Sequence, residues 1–213
     1  MKSLLSSLVL LALAAPAAQA QAPRVGFSLN LAFPTGDFSS KTYPGLSSPV
    51  YRSEATQREN YDLGLGGQLT VSFPVDPKLA IRLNLGGQVT DGHNTAYGFE
   101  DKNLRHSMFS VGGELQIFTQ SAYRHRGLYF LAGLSADFER FEYSYGDPGW
   151  DYTESERKSR LGGTIGIGHT FGYDAGTRFT LEVAYHTTLT GKDAAQFEPP
   201  ATDFVKVGFG WVF

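Results

Sequence analysis

Charged residues recur at alternate positions in segments of this 213-residue chain that are otherwise apolar or small. Side chains two residues apart share one face of an extended strand, so such a segment has a charged face and an apolar face. Charges gathered on one face can form ion pairs in a closed interior, or they can line a path for ions. The candidate lumen charge network consists of Arg24, Asp62, Arg82, Glu114, Asp137, Glu139, Arg160, Arg178, Glu182 and Lys206.

The segments that carry these charges alternate regularly between apolar and polar positions, as where Leu181 and Val183 flank Glu182. Eight such segments occur, each about ten residues long, which is the length of a membrane-spanning β-strand. Short links and long connections alternate between them. The pattern predicts an all-β protein, an eight-stranded antiparallel up-and-down transmembrane β-barrel.

A soluble barrel would also alternate, but with its apolar face inward. The polar faces here are rich in glycine, of which the chain has 25, and carry few charges per strand. This composition suits the crowded interior of a small barrel better than a water-exposed surface. We therefore expect the apolar face to meet lipid and the charges to pair inside. The expected pairs are Arg160 with Asp137 or Glu139, Arg82 with Glu114, and Glu182 with Lys206.

The first twenty residues differ from the rest. Lys2 precedes an apolar run, and small residues follow up to Ala20, which is the pattern of a secretory signal peptide. We predict a signal peptide over residues 1–20 and an outer-membrane β-barrel domain over residues 21–213. The chain has no cysteine and a net charge of −3, which excludes disulfides and gives no reason to expect nucleic-acid binding.

No cofactor or metal ion is expected. The glycine string GGTIGIGHTFG keeps the alternation of a strand, whereas a dinucleotide-binding motif would open a helix. The histidines His93, His106 and His125 show no metal-ligand spacing.

The final segment, FVKVGFGWVF, places aromatic residues and valine at alternate positions. Together with the signal peptide and the eight strands, it resembles the small outer-membrane β-barrels of OmpA and OmpX type. The resemblance implies a location in the bacterial outer membrane, contact with outer-membrane lipid and recognition by the barrel-assembly machinery. The assembly signal maps onto Val207, Phe209, Trp211 and Phe213.

The predicted function is a non-enzymatic barrel that anchors four surface loops for envelope integrity or external contact. The third loop, residues 142–158, concentrates aromatic residues and is a candidate surface for an extracellular ligand; alternatively, it is a solvated hairpin extension whose aromatic residues pack on one another. These aromatic residues are Tyr143, Tyr145, Trp150 and Tyr152.

Two alternative functions remain open. One is a narrow gated channel or porin for small solutes, with the charge network as its gate. The other is a lipid A-modifying enzyme, because YHTTLTG is distantly similar to the His-x-Ser element of outer-membrane lipid A deacylases. That similarity implies His186 with Thr188 in the serine position, and Glu182 or Glu198 as the orienting acid. By alternation, however, His186 and Thr188 face the lumen, whereas lipid approaches from outside.

Overall fold

The structure is a computed structural model, and it describes residues 22–43, 57–96, 99–147, 150–172, 176–190 and 201–213. The predicted signal peptide lies outside these ranges. The described residues form ten strands and one short helix, α1 (Gly36–Ser39). The strands are β1 (Arg24–Pro34), β2 (Ser40–Tyr43), β3 (Gln57–Tyr61), β4 (Gly64–Asp76), β5 (Leu79–Ala96), β6 (Phe99–Phe118), β7 (Gly127–Asp147), β8 (Trp150–Phe171), β9 (Arg178–Thr188) and β10 (Phe204–Val212). Within the described ranges, no helix is both long enough and apolar enough to cross a membrane.

Eight of the strands close into a ring. Each strand from β4 to β9 pairs with the next, and β1 closes the ring by pairing with both β4 and β10, always antiparallel. Closure leaves no strand edge to hydrogen-bond with lipid, which cannot satisfy backbone groups. The predicted eight-stranded antiparallel barrel is confirmed, and its predicted strands correspond in order to β1 and β4 to β10.

The two faces of the sheet are inverted relative to a soluble protein. On β9, Leu181 is 44 % exposed while its neighbour Glu182 is 8 % exposed, and the same alternation runs along the strand. A soluble protein would expose the carboxylate and bury the leucine, because apolar area is costly only in contact with water. The apolar outer face is therefore the lipid face, and the polar side chains form the lumen.

On the side of the long connections, the strands continue beyond their predicted ends. β7 and β8 stay paired from Gly127 opposite Thr170 to Asp147 opposite Trp150. The backbone of the third loop is thus largely a hairpin extension. A smaller extension is formed by β2 and β3, with β3 also paired to β5. Apolar alternation missed these extensions because strand pairing needs backbone groups, not a lipid-facing side.

Candidate functional site: a charged lumen closed at both ends

The lower half of the lumen, on the side of the short turns, is held by one arginine that spans the barrel. Arg82 on β5 donates from Nε to Glu114 Oε2 on β6 at 2.5 Å and from Nη1 to Glu182 Oε2 on β9 at 2.7 Å. The hydroxyl of Tyr129 also donates to Glu182 Oε2, at 3.0 Å. Since β5 and β9 lie on opposite sides of the ring, this guanidinium bridges the lumen from wall to wall.

The predicted pair of Arg82 and Glu114 is present, but the predicted pair of Glu182 and Lys206 is replaced. Glu182 binds Arg82 instead, and Lys206 Nζ donates to Gln68 Oε1 at 3.1 Å. The physical reason is reach: the long arginine side chain extends across the narrow barrel, so adjacency of strands does not limit its partners.

The upper half of the lumen, on the side of the long connections, contains two further carboxylates with separate partners. Glu139 Oε2 lies 3.2 Å from Arg160 Nη1, and its other oxygen lies 3.7 Å from His106 Nε2 and accepts a short hydrogen bond from Thr202. Asp137 Oδ2 lies 3.1 Å from His186 Nε2. The sequence predicted an ion pair of Arg160 with either Asp137 or Glu139. In the structure Arg160 lies within ion-pair distance of Glu139.

His186 lies in a short chain of polar side chains. Its Nδ1 is 3.1 Å from Thr164 Oγ1, opposite the contact with Asp137, and Phe204 stacks on the ring at a centroid distance of 4.7 Å. The side chains of Thr164, His186 and Asp137 therefore lie in a row, with a hydrogen bond between Thr164 and His186 and an ion-pair contact between His186 and Asp137. Both neighbours of His186 differ from those implied by the deacylase similarity.

The deacylase assignment therefore fails in its details. Thr188 hydrogen-bonds to Thr202 rather than to His186, with Thr202 N donating to Thr188 Oγ1 at 2.9 Å. Glu182 belongs to the Arg82 cluster, and Glu198 lies outside the described residues. Alternation along β9 places His186 and Thr188 on the same face, but the two side chains project into different layers of the lumen. Sharing a face therefore did not bring Thr188 into hydrogen-bond contact with His186.

An aromatic cluster closes the upper end of the lumen. Phe38 on α1 is fully buried, stacks on Tyr61 at 4.6 Å between centroids, and meets His106 edge-on at 5.0 Å. Phe141 covers the other side of His106 at 4.6 Å. We call Phe38, Tyr61, Leu104, His106 and Phe141 the upper closure. The sequence did not indicate Phe38 as a lumen residue, because α1 follows β1 in the long connection that was predicted to be the first surface loop.

The lower end is closed by the turn between β6 and β7. His125 in this turn has a positive φ of 44° and is 2 % exposed, and its ring lies 4.9 Å from Phe118 and 6.0 Å from Tyr129 between centroids. Burial, together with the smaller effect of the positive charges of Arg82, Arg24 and Arg178, lowers the pKa of His125 to about 3. The ring is therefore a neutral packing group. We call Phe118, Ala122, His125 and Tyr129 the lower closure.

Between the two closures the lumen has little free space. One cavity of about 50 Å³ lies among Gln68, Glu114, Ser135 and His186, and another of about 20 Å³ lies beside Arg82 and His125. A water molecule needs roughly 10–15 Å³ measured in this way, so the first cavity has room for a few waters and the second for about one.

The glycine string on β8 has a packing role. A Cβ atom at Gly162 would lie 2.6 Å from both His186 Cε1 and Ser135 Oγ, closer than side chains can approach. At Gly168 a Cβ would overlap the ring of Tyr129. The string keeps strand geometry throughout, so its glycines make room for the lumen side chains on neighbouring strands.

The predicted network also includes Asp62, Arg24 and Arg178, which do not take part in the ion pairs described above. Asp62 is outside the lumen: its side chain is 64 % exposed and lies 3.8 Å from His93 Nδ1, so its assignment was wrong. Asp62 and the next residue interrupt the strand between β3 and β4, which shifts the alternation by one position. Arg178 is buried and Arg24 half-buried at the lower end of the barrel.

The residues of the predicted assembly signal lie on β10 and directly after it, on the outer face. Phe209 is 46 % exposed and packs edge-on against Trp211 at 5.1 Å, and Phe27 and Phe179 join this aromatic group. Val207 is half-exposed on the same face, and Phe213 is 62 % exposed. Aromatic residues at this level form the interfacial girdle of membrane barrels. Recognition of these residues during assembly remains a prediction.

The aromatic residues of the third loop lie in the β7–β8 extension. Tyr145 is paired with Tyr152, and Tyr143 and Trp150 are paired with Glu154 and Asp147. Their side chains fall outside the described part of the structure. The candidate ligand surface therefore remains a prediction.

A closed ring of antiparallel strands with an apolar outside and a charged inside defines the class of transmembrane β-barrels. The family model described as "Outer membrane protein beta-barrel domain" matches residues 5–213, so the chain belongs to this family. The protein is accordingly a bacterial outer-membrane protein. A search of curated proteins found no match.

Solved structures with a related fold include three outer-membrane proteins. The attachment invasion locus protein Ail of Yersinia pestis, in complex with the heparin analogue sucrose octasulfate, is 13 % identical, with 91 % of this chain and 100 % of that chain covered and a TM-score of 0.49. Neisserial surface protein A is 10 % identical, with 91 % and 96 % covered and a TM-score of 0.45. The N-terminal barrel domain of Pseudomonas aeruginosa OprF is 12 % identical, with 92 % and 100 % covered and a TM-score of 0.36.

Proposed function

We propose that the protein is a closed, non-conducting and non-enzymatic barrel that anchors its surface extensions at the outer membrane, for envelope integrity or contact with an external partner. The observation that carries the proposal is the filled lumen. Arg82 spans the lumen between two carboxylates, and an aromatic closure lies at each end. A barrel packed in this way is a rigid support rather than a conduit.

Conductance of single molecules distinguishes this function from a channel. The refolded full chain is inserted into a planar lipid bilayer, with a general porin as the control for insertion. We expect no current steps, because passage of an ion would require the buried pairs to separate. Stepwise currents from folded protein that change with Arg160→Ala would establish a gated channel and overturn the proposal.

A hydrolase is the second candidate, favoured by the row of Thr164, His186 and Asp137 side chains. These three side chains lie inside the closed lumen, where a lipid substrate has no access, and threonine is a weaker match to the serine that the deacylase similarity requires. We expect that purified protein leaves lipid A and short acyl esters unchanged. Turnover that is abolished by His186→Gln would show an enzyme and not an anchor.

The β7–β8 extension is the part proposed to act outside the membrane. A variant with residues 144–153 replaced by a short Asn-Gly turn shortens the hairpin and leaves the paired lumen strands intact. In a strain lacking the gene, we expect this variant to reach the outer membrane but not to restore envelope integrity or surface contact. The matched control is His186→Gln, which should restore both. The reverse result would place the function in the lumen.

A further inference from the structure

Four arginines gather at the lower end of the barrel, where the short turns of an outer-membrane barrel face the periplasm. Two of them begin strands: Arg24 is the first residue of β1 and Arg178 is the first residue of β9. Their strand partners are Ser72 on β4 and Val212 on β10. Because β4, β1, β10 and β9 are consecutive in the ring, these two arginines lie on the same part of the lower rim.

The other two arginines come from the turn between β6 and β7. Arg124 is exposed and Arg126 half-buried, and they flank His125, whose buried ring reaches into the lumen. There the ring lines the smaller cavity together with Ser72 and Val212, the strand partners of the first two arginines. The turn therefore crosses the lower mouth of the barrel and brings its two arginines towards the first two.

The lower mouth carries an excess of positive charge. The charges of the other three arginines all act on Arg178. Within the described ranges, Asp76 is the one acidic side chain of the lower turns, and it accepts a backbone hydrogen bond within its own turn. Among the same residues, Arg24 and Arg124 have no carboxylate within ion-pair distance. A recess lined by charges of one sign attracts counter-ions, so this mouth attracts anions.

The arginines of β1 and β9 lie on the lumen side of the sheet. Val25, which follows Arg24, is 51 % exposed on the apolar outer face. Phe179, which follows Arg178, is 44 % exposed on the same face. Because side chains alternate along a strand, the two arginines belong to the inner face, away from the head groups of the surrounding lipid. An anion dissolved in the periplasm reaches them from below.

We propose that the lower mouth is a binding site for a soluble phosphorylated anion of the periplasm, held by the four arginines. A phosphate group suits this site better than a carboxylate does. A guanidinium binds two oxygens at once, and a phosphate group has further oxygens for a second guanidinium, whereas a carboxylate has none left. A phosphate group also carries more negative charge at neutral pH. The site lies below the lower closure, so an anion can occupy it while the lumen stays closed.

The test measures binding of inorganic phosphate and inorganic pyrophosphate to the refolded full chain in neutral-detergent micelles, by isothermal titration calorimetry at constant ionic strength. Acetate is the carboxylate probe, and micelles that contain phosphatidylglycerol are the lipid probe. We expect both phosphates to bind at least about tenfold more tightly than acetate, because they form charge-assisted hydrogen bonds with more than one guanidinium. Phosphatidylglycerol should leave the affinity for pyrophosphate unchanged, since its head group lies outside the ring.

A double variant tests the arginines themselves. Arg24→Gln combined with Arg124→Gln removes two of the four guanidinium groups, and it should weaken pyrophosphate binding by about tenfold or more. The matched control is Arg140→Gln combined with Arg157→Gln, which removes the same charge from exposed positions near the upper end of the barrel. This control should bind pyrophosphate as the unmodified chain does.

The urea midpoint gives a second measurement. Pyrophosphate should raise the midpoint of the unmodified chain and of the control, because a ligand of the folded state stabilises it, but not that of the variant at Arg24 and Arg124. Folding of each variant is checked by the shift of its electrophoretic mobility on heating. Acetate binding as tight as phosphate binding, competition by phosphatidylglycerol, or unchanged affinity of the folded variant at Arg24 and Arg124 would overturn the proposal. So would a folded, unmodified chain that binds neither phosphate.

Discussion

Both halves of the lumen bury carboxylates, but different side chains lie beside these carboxylates in the two halves. In the lower half, one arginine that is always charged serves two carboxylates, and the adjacent histidine, His125, is held neutral by burial. In the upper half, each carboxylate has a histidine of its own, His106 beside Glu139 and His186 beside Asp137. The lower half therefore depends on one residue, whereas the upper half distributes its interactions over several.

The largest effect is expected from Arg82→Ala. Removal of this guanidinium leaves Glu114 and Glu182 buried together without their cation, which should lower the free energy of unfolding by about 3–5 kcal/mol. Urea unfolding of the refolded protein in micelles measures it. Arg124→Ala, in the exposed lower turn, is the control and should change stability by less than about 0.5 kcal/mol. If Arg82→Ala behaves like this control, the lower half does not depend on one residue.

Arg160→Ala tests the upper half in the same way. We expect a loss on the order of 3 kcal/mol, below that of Arg82→Ala, because Glu139 retains the hydrogen bond from Thr202 after losing its cation. Both variants are measured under one set of conditions. A loss equal to or larger than that of Arg82→Ala would contradict the difference drawn between the halves.

A pH dependence is expected from the lower closure. The pKa of His125 is about 3 in the folded protein and near its ordinary value of 6.5 when unfolded, so the unfolded state gains the proton first as the pH falls. The contribution of His125 to stability is fully present above its pKa of 6.5 in the unfolded state, and it is lost as the pH falls from 6.5 towards 3. Between about pH 7.5 and about pH 5 the loss from this group should be about 2 kcal/mol.

His125→Asn isolates this contribution, because asparagine tolerates the positive φ and does not titrate. The difference in stability between the variant and the unmodified protein should shrink by about 2 kcal/mol over the same pH range. A constant difference at both pH values would mean that the ring is accessible to protons in the folded state.

The smallest of these effects is expected from Phe38→Ala in the upper closure. A buried phenylalanine in a core would cost about 3–5 kcal/mol, but α1 is one short turn that can open locally, so a loss of about 1–2 kcal/mol is expected. Hydrogen exchange at the backbone amides of α1 should become faster while the amides of β9 stay protected. Equal acceleration on β9 would show that Phe38 supports the whole barrel.

Most of the fold could be predicted from the sequence, because the alternation along each strand is a local property of neighbouring residues. It identified the eight barrel strands and placed Arg82, Glu114 and Glu182 on the lumen side. It failed at Asp62, where an interruption of the strand reversed the phase. It also ended β7 and β8 too early, since backbone pairing continues where the apolar alternation stops.

Along the uninterrupted barrel strands, the sequence by itself determined which residues face lipid and which face the lumen, because side-chain direction in a strand changes with every residue. Only the tertiary structure decided the partners within the lumen. Arg82 reaches Glu182 across the barrel, His186 lies between Asp137 and Thr164, and Phe38 closes the upper end. These contacts join residues far apart in the chain, and their distances depend on the diameter and strand stagger of the closed ring, which no single strand encodes.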